Sequence, residues 1–292
     1  MIDYFLIIVA FIFVTIATIF DIKTREVPDW LSFSFIAIAL FSNLLFSLVF
    51  NQWNYIIYSL IGLVISFIFG CIMYYSRQWG GGDTKLLIGL CTLLPIYPQE
   101  LLNYFNPNMN LPFLFILLLN ILLVGGVYGL LFSIILAIKN RNKFSKEFKI
   151  LFNKSIKSTL NYIYFKYAIL LIILLFVLLL IQNYLFALLF FIFMVLIIFV
   201  YIFIKSVENS SMYKYIDYRK LTEGDWVVNP IKVGKKLVYE PNPLGISKSD
   251  VIKLKKLKIK NILVKEGLPF LPAFWFGLII TIIYGNLFLI LI

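Results

Sequence analysis

Long apolar runs separated by short polar ones set the plan of this chain. They lie near 4–21, 31–50, 54–75, 83–96, 112–138, 167–181, 184–204 and 270–292. A bilayer core about 30 Å thick is crossed by roughly 20 helical residues. The pattern therefore predicts an all-α polytopic membrane protein of about eight transmembrane helices. The fourth run is short and is expected to be tilted or enclosed by its neighbours. Residues 167–204 are too long for one ordinary span. The polar pair Gln182-Asn183 divides them into a helical hairpin, although a single strongly tilted helix or a re-entrant pair fits the same run.

Five regions follow from this pattern. Residues 1–138 form a membrane core, and 139–166 a basic amphipathic helix ("KFSKEFKILFNKSIKSTLNYIYFK") expected to lie at the interface. Residues 167–205 form the membrane hairpin, 206–268 a small cytoplasmic α+β insertion, and 269–292 the last transmembrane helix. Within the insertion, "DWVV", "KKLVYE" and "KNILV" are strand-like and "PNPLG" is a turn. "SKSDVIKLKKLK" opens with a serine cap and continues as a basic helix. Residues 4–20 lack a basic leader and a small-residue cleavage site, and are expected to be a retained span rather than a signal peptide.

Composition agrees with the membrane assignment: 62% of the 292 residues are hydrophobic, against about 45–50% in soluble domains. The chain has no histidine and two cysteines. A histidine-based triad is excluded, and neither a disulfide framework nor a zinc module is indicated. With the amino terminus outside and eight spans, all 26 Lys and Arg residues fall on one side. The positive-inside rule makes that side cytoplasmic. The net charge of +12 is then mostly a topology signal, suited to anionic lipid headgroups rather than nucleic acid.

Two of the fourteen acids stand apart. Asp21 closes the first helix in "ATIFDIKTREVPDW", and Asp83 opens the fourth in "GGGDTKLL". Topology puts both at one depth, facing one compartment. A carboxylate beside hydrocarbon is paired, hydrated or functional. Two brought together can share a proton, so that one activates water while the other polarises a peptide carbonyl. Gly80, Gly81 and Gly82 would let an extended substrate backbone approach closely. The bland alternatives are that Asp83 is an ordinary helix cap and Asp21 an interfacial side chain. Lys85 could pair with a carboxylate, hold a lipid phosphate or steady the dyad. Trp30 and Trp79 look like interface anchors.

"FDIKTREVPDW" followed about sixty residues later by "GGGDTKLL" resembles the type IV prepilin peptidases, the GxGD membrane aspartic proteases, and their archaeal preflagellin/prepilin branch in particular. "PFLPAFWFGLII", from Pro269 to Ile280, is similar to the family's last span. The resemblance is anchored in residues 1–95 and 268–292. It implies a catalytic dyad of Asp21 and Asp83, no metal or organic cofactor, and cleavage of a short basic leader from pilin or archaellin precursors at the cytoplasmic face. Partners would be those precursors and membrane lipids. Glu26 and Asp29, the acids nearest the dyad in sequence, would receive the basic leader; otherwise they lie in a solvated turn, with Asp29 capping the second helix. The cysteine-bearing loop and methyl-donor site of many bacterial members have no counterpart here, so proteolysis without methyl transfer is expected. The rival readings are a proton-coupled membrane transporter and a non-catalytic pilus-assembly subunit.

Overall fold

Most of the apolar runs fold as helices, and their ends follow from local chemistry. In the computed structural model they are α1 (Ile2–Thr24), α2 (Asp29–Val49), α3 (Asn54–Tyr75), α4 (Gly81–Leu93) and α5 (Phe113–Lys139). Helices α1 and α3 both end at an arginine in the left-handed region, Arg25 and Arg77, each with φ 62°, a backbone turn that terminates helices. Pro28 and Pro112 precede α2 and α5, where a missing N–H does no harm. The structure describes residues 2–158, 167, 170–175, 177, 184–234, 236–259 and 261–291. The chain divides into two units, Met1–Gly129 with Tyr215–Ile292, and Leu130–Lys214.

Among the described residues, five helices are long and apolar enough to cross a membrane: Ile2–Thr24, Asp29–Val49, Asn54–Tyr75, Phe113–Lys139 and Tyr184–Met212. That is the make-up of a multi-pass membrane protein, with fewer such helices than the eight expected. Three expected spans account for the difference. Of the run 167–181, residues 168–169, 176 and 178–181 lie outside the described residues, as does the turn at Gln182-Asn183. The other two, the fourth and the last, are shorter than their apolar runs.

Helix α4 has 13 residues, about 20 Å of rise, too little to cross alone. It is sheathed by protein instead: every residue from Leu86 to Leu93 is buried. Helix α3 meets it with Ser59, Gly62, Ser66 and Gly70, a small-residue face that lets two backbones approach. A Cβ on Gly62 would sit 2.2 Å from the Cys91 carbonyl oxygen. On the other side, the Phe35 ring of α2 lies against Gly89. Pro95 prevents the helix from continuing. Ser59 Oγ donates to the Thr92 carbonyl at 2.8 Å, and Asn43 Nδ2 reaches it at 3.3 Å. A helix end removed from water needs such partners.

The last apolar run is broken as well. Helix α9 (Leu271–Tyr284) stops at Gly285, φ 74°, and a one-turn helix, α10 (Leu287–Leu291), follows. Side chains hold the break. Asn120, buried in α5, donates to Thr281 Oγ1 at 2.8 Å and to the Gly285 carbonyl at 2.7 Å, and accepts from the Leu287 N–H at 3.2 Å. Asn108 brackets the same point, donating its N–H to the Tyr284 carbonyl and accepting from the Asn286 N–H.

A small sheet region precedes the last helix and has a core of its own. Strands β1 (Tyr213–Ile216), β2 (Trp226–Val227) and β5 (Ile262–Lys265) make a sheet in the order β1-β5-β2; β3 (Ile231–Val233) and β4 (Lys236–Tyr239) form an antiparallel pair. Helix α8 (Lys248–Lys256) is capped by Ser247, whose Oγ accepts from the Asp250 N–H at 3.2 Å. Leu221, Val227, Tyr239, Ile246, Leu254, Ile262 and Val264 pack beneath it.

In the second unit, α6 (Arg141–Ser158) runs beside α7 (Tyr184–Val207). Phe144 and Phe148, one turn apart, meet Phe203 and Phe199 with ring centroids 5.4 and 5.9 Å apart. Two aromatic residues of the basic amphipathic segment are thus packed on a neighbouring helix, while Phe152, one turn on, is exposed.

Candidate active site

Asp21 lies one turn before the end of α1 and is only 6% exposed. Burial of a carboxyl demands hydrogen bonds, and the start of α9 provides one: the Leu271 N–H donates to Asp21 Oδ2 at 2.9 Å. That N–H belongs to a first helical turn, where backbone donors have no partner within the helix. Thr18 Oγ1, nearly one turn earlier, lies 3.4 Å from the Leu271 carbonyl, and Trp275 Nε1 donates to Thr15 Oγ1 at 3.1 Å.

Asp83 is the third residue of α4. Its Oδ2 accepts from the Gly80 N–H at 3.0 Å, so the side chain reaches back over the helix start. The N-cap position belongs to Gly80. Asp83 therefore supplies the carboxylate half of a capping box, rather than the cap itself. Asp21 and Asp83 lie within electrostatic reach of one another. The structure brings the two acids to one end of the bundle.

The three glycines have different reasons. A Cβ on Gly82 would lie 3.0 Å from Val27 Cβ and 3.1 Å from its Cγ2, so a larger residue fits only if loop and helix start move apart by a few tenths of an ångström. Gly80 and Gly81 have ordinary room: a Cβ on Gly80 would lie 3.4 Å from Asp83 Oδ2, and one on Gly81 3.9 Å from Tyr74 Cε2. Space for a close-approaching backbone remains the reason open to those two.

Lys85 and Asp29 form an ion pair at 2.6 Å, and Lys85 Nζ also lies 5.1 Å from the centre of the Phe33 ring. The pair is exposed and worth well under about 1 kcal/mol, but it ties the start of α2 to the start of α4. Asp29 is not the cap of α2: Pro28 holds that position, without a side-chain hydrogen bond. Glu26 accepts a hydrogen bond from the Thr222 hydroxyl, in the small sheet region before the last helix. Both acids expected to receive a basic leader are thus already engaged.

Trp79 corrects the sequence reading most clearly. It is 5% exposed and packs among Phe69, Phe270 and Phe274, with centroids 5.7, 5.5 and 5.3 Å away. It is a core residue and not an interface anchor, whereas Trp30 is 64% exposed. Sequence reasoning also missed Leu271, whose backbone carries no chemical signature, and Tyr128, which lies within electrostatic reach of Asp21 and Arg25. The Pro-Phe-x-Pro run from Pro269 to Pro272 was the available signal for the first.

Among the described residues, no three His, Cys, Asp or Glu side chains are grouped to hold a metal ion. A cleft of about 390 Å³ between Asp3, Tyr55, Tyr58 and Glu100 lies at the other end of α1, roughly 27 Å along the helix from Asp21. It is no part of this site.

Residues 8–134, which include both aspartates, match the type IV leader peptidase family. The resemblance carried by the two aspartate motifs is borne out here. The chain is also similar to preflagellin peptidases of methanogens. It is 37% identical to that of Methanocaldococcus jannaschii over 90 residues, which is 31% of this chain and 38% of the relative. To that of Methanococcus maripaludis it is 27% identical over 142 residues, 47% and 61% of the two chains. To that of Methanococcus voltae it is 30% identical over 99 residues, 34% and 42%. The matches thus span 38% to 61% of these relatives' lengths. No solved structure matches the chain.

Proposed function

We propose that this chain is a membrane aspartic endopeptidase that removes a short basic leader from archaellin-like or pilin-like precursors, just before their hydrophobic helix. The observation that carries this reading is the convergence of Asp21 and Asp83 at one end of the helical bundle, each carboxyl already bound to a backbone N–H. The names of the similar methanogen proteins agree with it. The distribution of Lys and Arg supports an external amino terminus and a site at the cytoplasmic face.

In the proposed mechanism the pair shares one proton, because two neighbouring carboxylates do not ionise together readily. The ionised carboxyl takes a proton from water as its oxygen attacks the scissile carbonyl carbon. The protonated carboxyl donates its proton to the carbonyl oxygen, giving a neutral tetrahedral diol. Collapse of the diol breaks the C–N bond. One carboxyl returns a proton to the leaving nitrogen, and the other recovers one from a diol hydroxyl. The leader leaves with a new carboxyl group, the mature protein with a new amine. Gly80 and Gly81 would leave room for the substrate backbone, and Glu26 and Asp29 would exchange their present partners for the basic leader. No step calls for methyl transfer.

Membranes containing the chain, incubated with a leader-bearing precursor, test this directly. Cleavage by the unaltered chain and its loss in both Asp21→Asn and Asp83→Asn is the expected result. Activity surviving either substitution removes the dyad. A chain that cleaves no precursor removes the protease reading.

A further inference from the structure

The turn that starts α9 reaches both candidate catalytic carboxyls, by two separate routes. The first is direct: the Leu271 N–H holds Asp21 Oδ2 at 2.9 Å. The second runs through aromatic rings. Phe270 and Phe274 pack on Trp79 at 5.5 and 5.3 Å between centroids. Trp79 is the residue before Gly80, whose N–H holds Asp83 Oδ2 at 3.0 Å. A shift of the turn would thus move the donor of one carboxyl and the ring that seats the donor of the other.

The turn itself is rigid. Pro269 and Pro272 fix φ at two of its positions. Leu271, Ala273 and Phe274 are fully buried. Phe270 is locked from the far side by α5, where a Cβ on Gly125 would lie 2.4 Å from the Phe270 Cζ. Trp79 is locked in turn by Phe69 of α3, 5.7 Å away. Fixed donors matter because misplacing reacting groups by about 1 Å can cost a hundredfold in rate.

We propose that the Pro269–Phe274 turn and Trp79 form one positioning element that sets the separation and orientation of Asp21 and Asp83. This rests on the dyad reading above and extends it to residues outside the two aspartate motifs. None of these side chains touches the reacting atoms. Their contribution is to hold the two backbone donors, and through them the two carboxyls, in register.

The test uses the full chain in lipid nanodiscs, with Trp79→Ala, Trp79→Phe and Phe270→Leu. Cleavage kinetics are expected to show kcat about tenfold or more lower in Trp79→Ala, with KM changed less than about twofold. Trp79→Phe should recover most of the loss, and Tm should not track it. Phe270→Leu, the milder change, serves if Trp79→Ala does not fold. A kcat that is unchanged, or that falls only in step with Tm without recovery in Trp79→Phe, overturns the proposal. Hydrogen exchange at the Leu271 and Gly80 amides gives a readout that needs no activity. Both amides should be protected in the unaltered chain. Leu271 should exchange faster in Asp21→Ala, and Gly80 faster in Asp83→Ala and in Trp79→Ala. Equal exchange in all of them means the turn does not hold the pair, and the proposal falls even where no precursor is cleaved. Absence of cleavage with the expected exchange pattern overturns the protease reading and leaves the tie between turn and carboxyls standing.

Discussion

Val27 sits directly on Gly82, so that the connection after Asp21 and the residue before Asp83 are in contact across 55 positions of sequence. A Cβ at Gly82 would be 3.0 Å from the Val27 Cβ and 3.1 Å from its Cγ2. Neither atom is the tip of a flexible side chain, so an added methyl must push the loop and the helix start apart by a few tenths of an ångström. Gly82→Ala is therefore expected to lower kcat by about tenfold, since displacement here moves one carboxyl relative to the other. Combining it with Val27→Ala, which removes Cγ2, should restore part of the rate. Cleavage assays on the two single variants and the double variant check this; no recovery in the double variant would mean that Gly82 acts through something other than Val27.

The seating of α4 makes a prediction about stability. A Cβ on Gly62 would lie 2.2 Å from a backbone oxygen, and one on Gly89 2.5 Å from the Phe35 ring. The backbone clash has no side chain to rotate away. Gly62→Ala is expected to destabilise the fold by about 1–3 kcal/mol or more, as overpacking does, with Gly89→Ala less severe because a ring can tilt. Gly126, which has nothing within 4 Å of a built Cβ, is the control: Gly126→Ala should stay within about 0.5 kcal/mol. Thermal unfolding of the purified variants in one detergent distinguishes the three.

The site was legible in sequence to the extent that side chains carry it. Asp21 and Asp83 each interrupt an apolar run, and charge topology puts them at one depth before any contact is known. What holds them was not legible. The donors are backbone N–H groups of Leu271 and Gly80, which any residue but proline offers. Leu271 comes from 250 residues away in the chain. Trp79 was misjudged because an aromatic ring at the end of a span has the same local sequence whether it meets lipid or protein. The break in the last helix had a local signal: Gly285-Asn286 is a turn pair inside an apolar run. Its partners Asn108 and Asn120 could not be inferred, because pairing among asparagines has no spacing rule. The cap at Ser247 was legible, since its whole mechanism lies within four residues.

Glu26, in the connection after α1, and Asp29, at the start of α2, are the acids nearest Asp21 in sequence, and their observed partners sharpen what their replacement should do. Asp29 pairs with Lys85 and Glu26 with Thr222. Reversing both charges removes two local acids and places a lysine against Lys85. Processing of a basic leader should fall by roughly threefold to thirtyfold in kcat/KM, the range of two exposed charge contacts. A leader with its basic residues neutralised should be cleaved equally by both forms. Equal losses on the two leaders would assign these acids to the fold of the loop and not to recognition.

Asp225 gives the small sheet region before the last helix a pH dependence whose sign can be worked out. Burial pushes its carboxyl above the ordinary aspartate range, partly offset by the hydrogen bond it accepts from the Thr222 N–H at 2.8 Å, by the Thr222 side chain and by the charge of Lys255. Because the folded value is raised, the folded state binds the proton more tightly than the unfolded chain. The associated stability is fully present below the ordinary aspartate value of 3.8 and is lost as pH rises through the folded value. At neutral pH the charged form is a net burden on the domain. Asp225→Asn keeps an oxygen to accept from Thr222 and removes the charge, so it should raise local stability at pH 7 and flatten its dependence on acid pH. Protection of the β5 amides against hydrogen exchange, measured in the full chain between pH 4 and 8 and corrected for intrinsic rates, reports this. The same substitution leaves the Thr222 hydroxyl free to donate to Glu26, so cleavage should be unchanged. A domain that loosens in Asp225→Asn would mean that the charge of the carboxylate is stabilising where it lies.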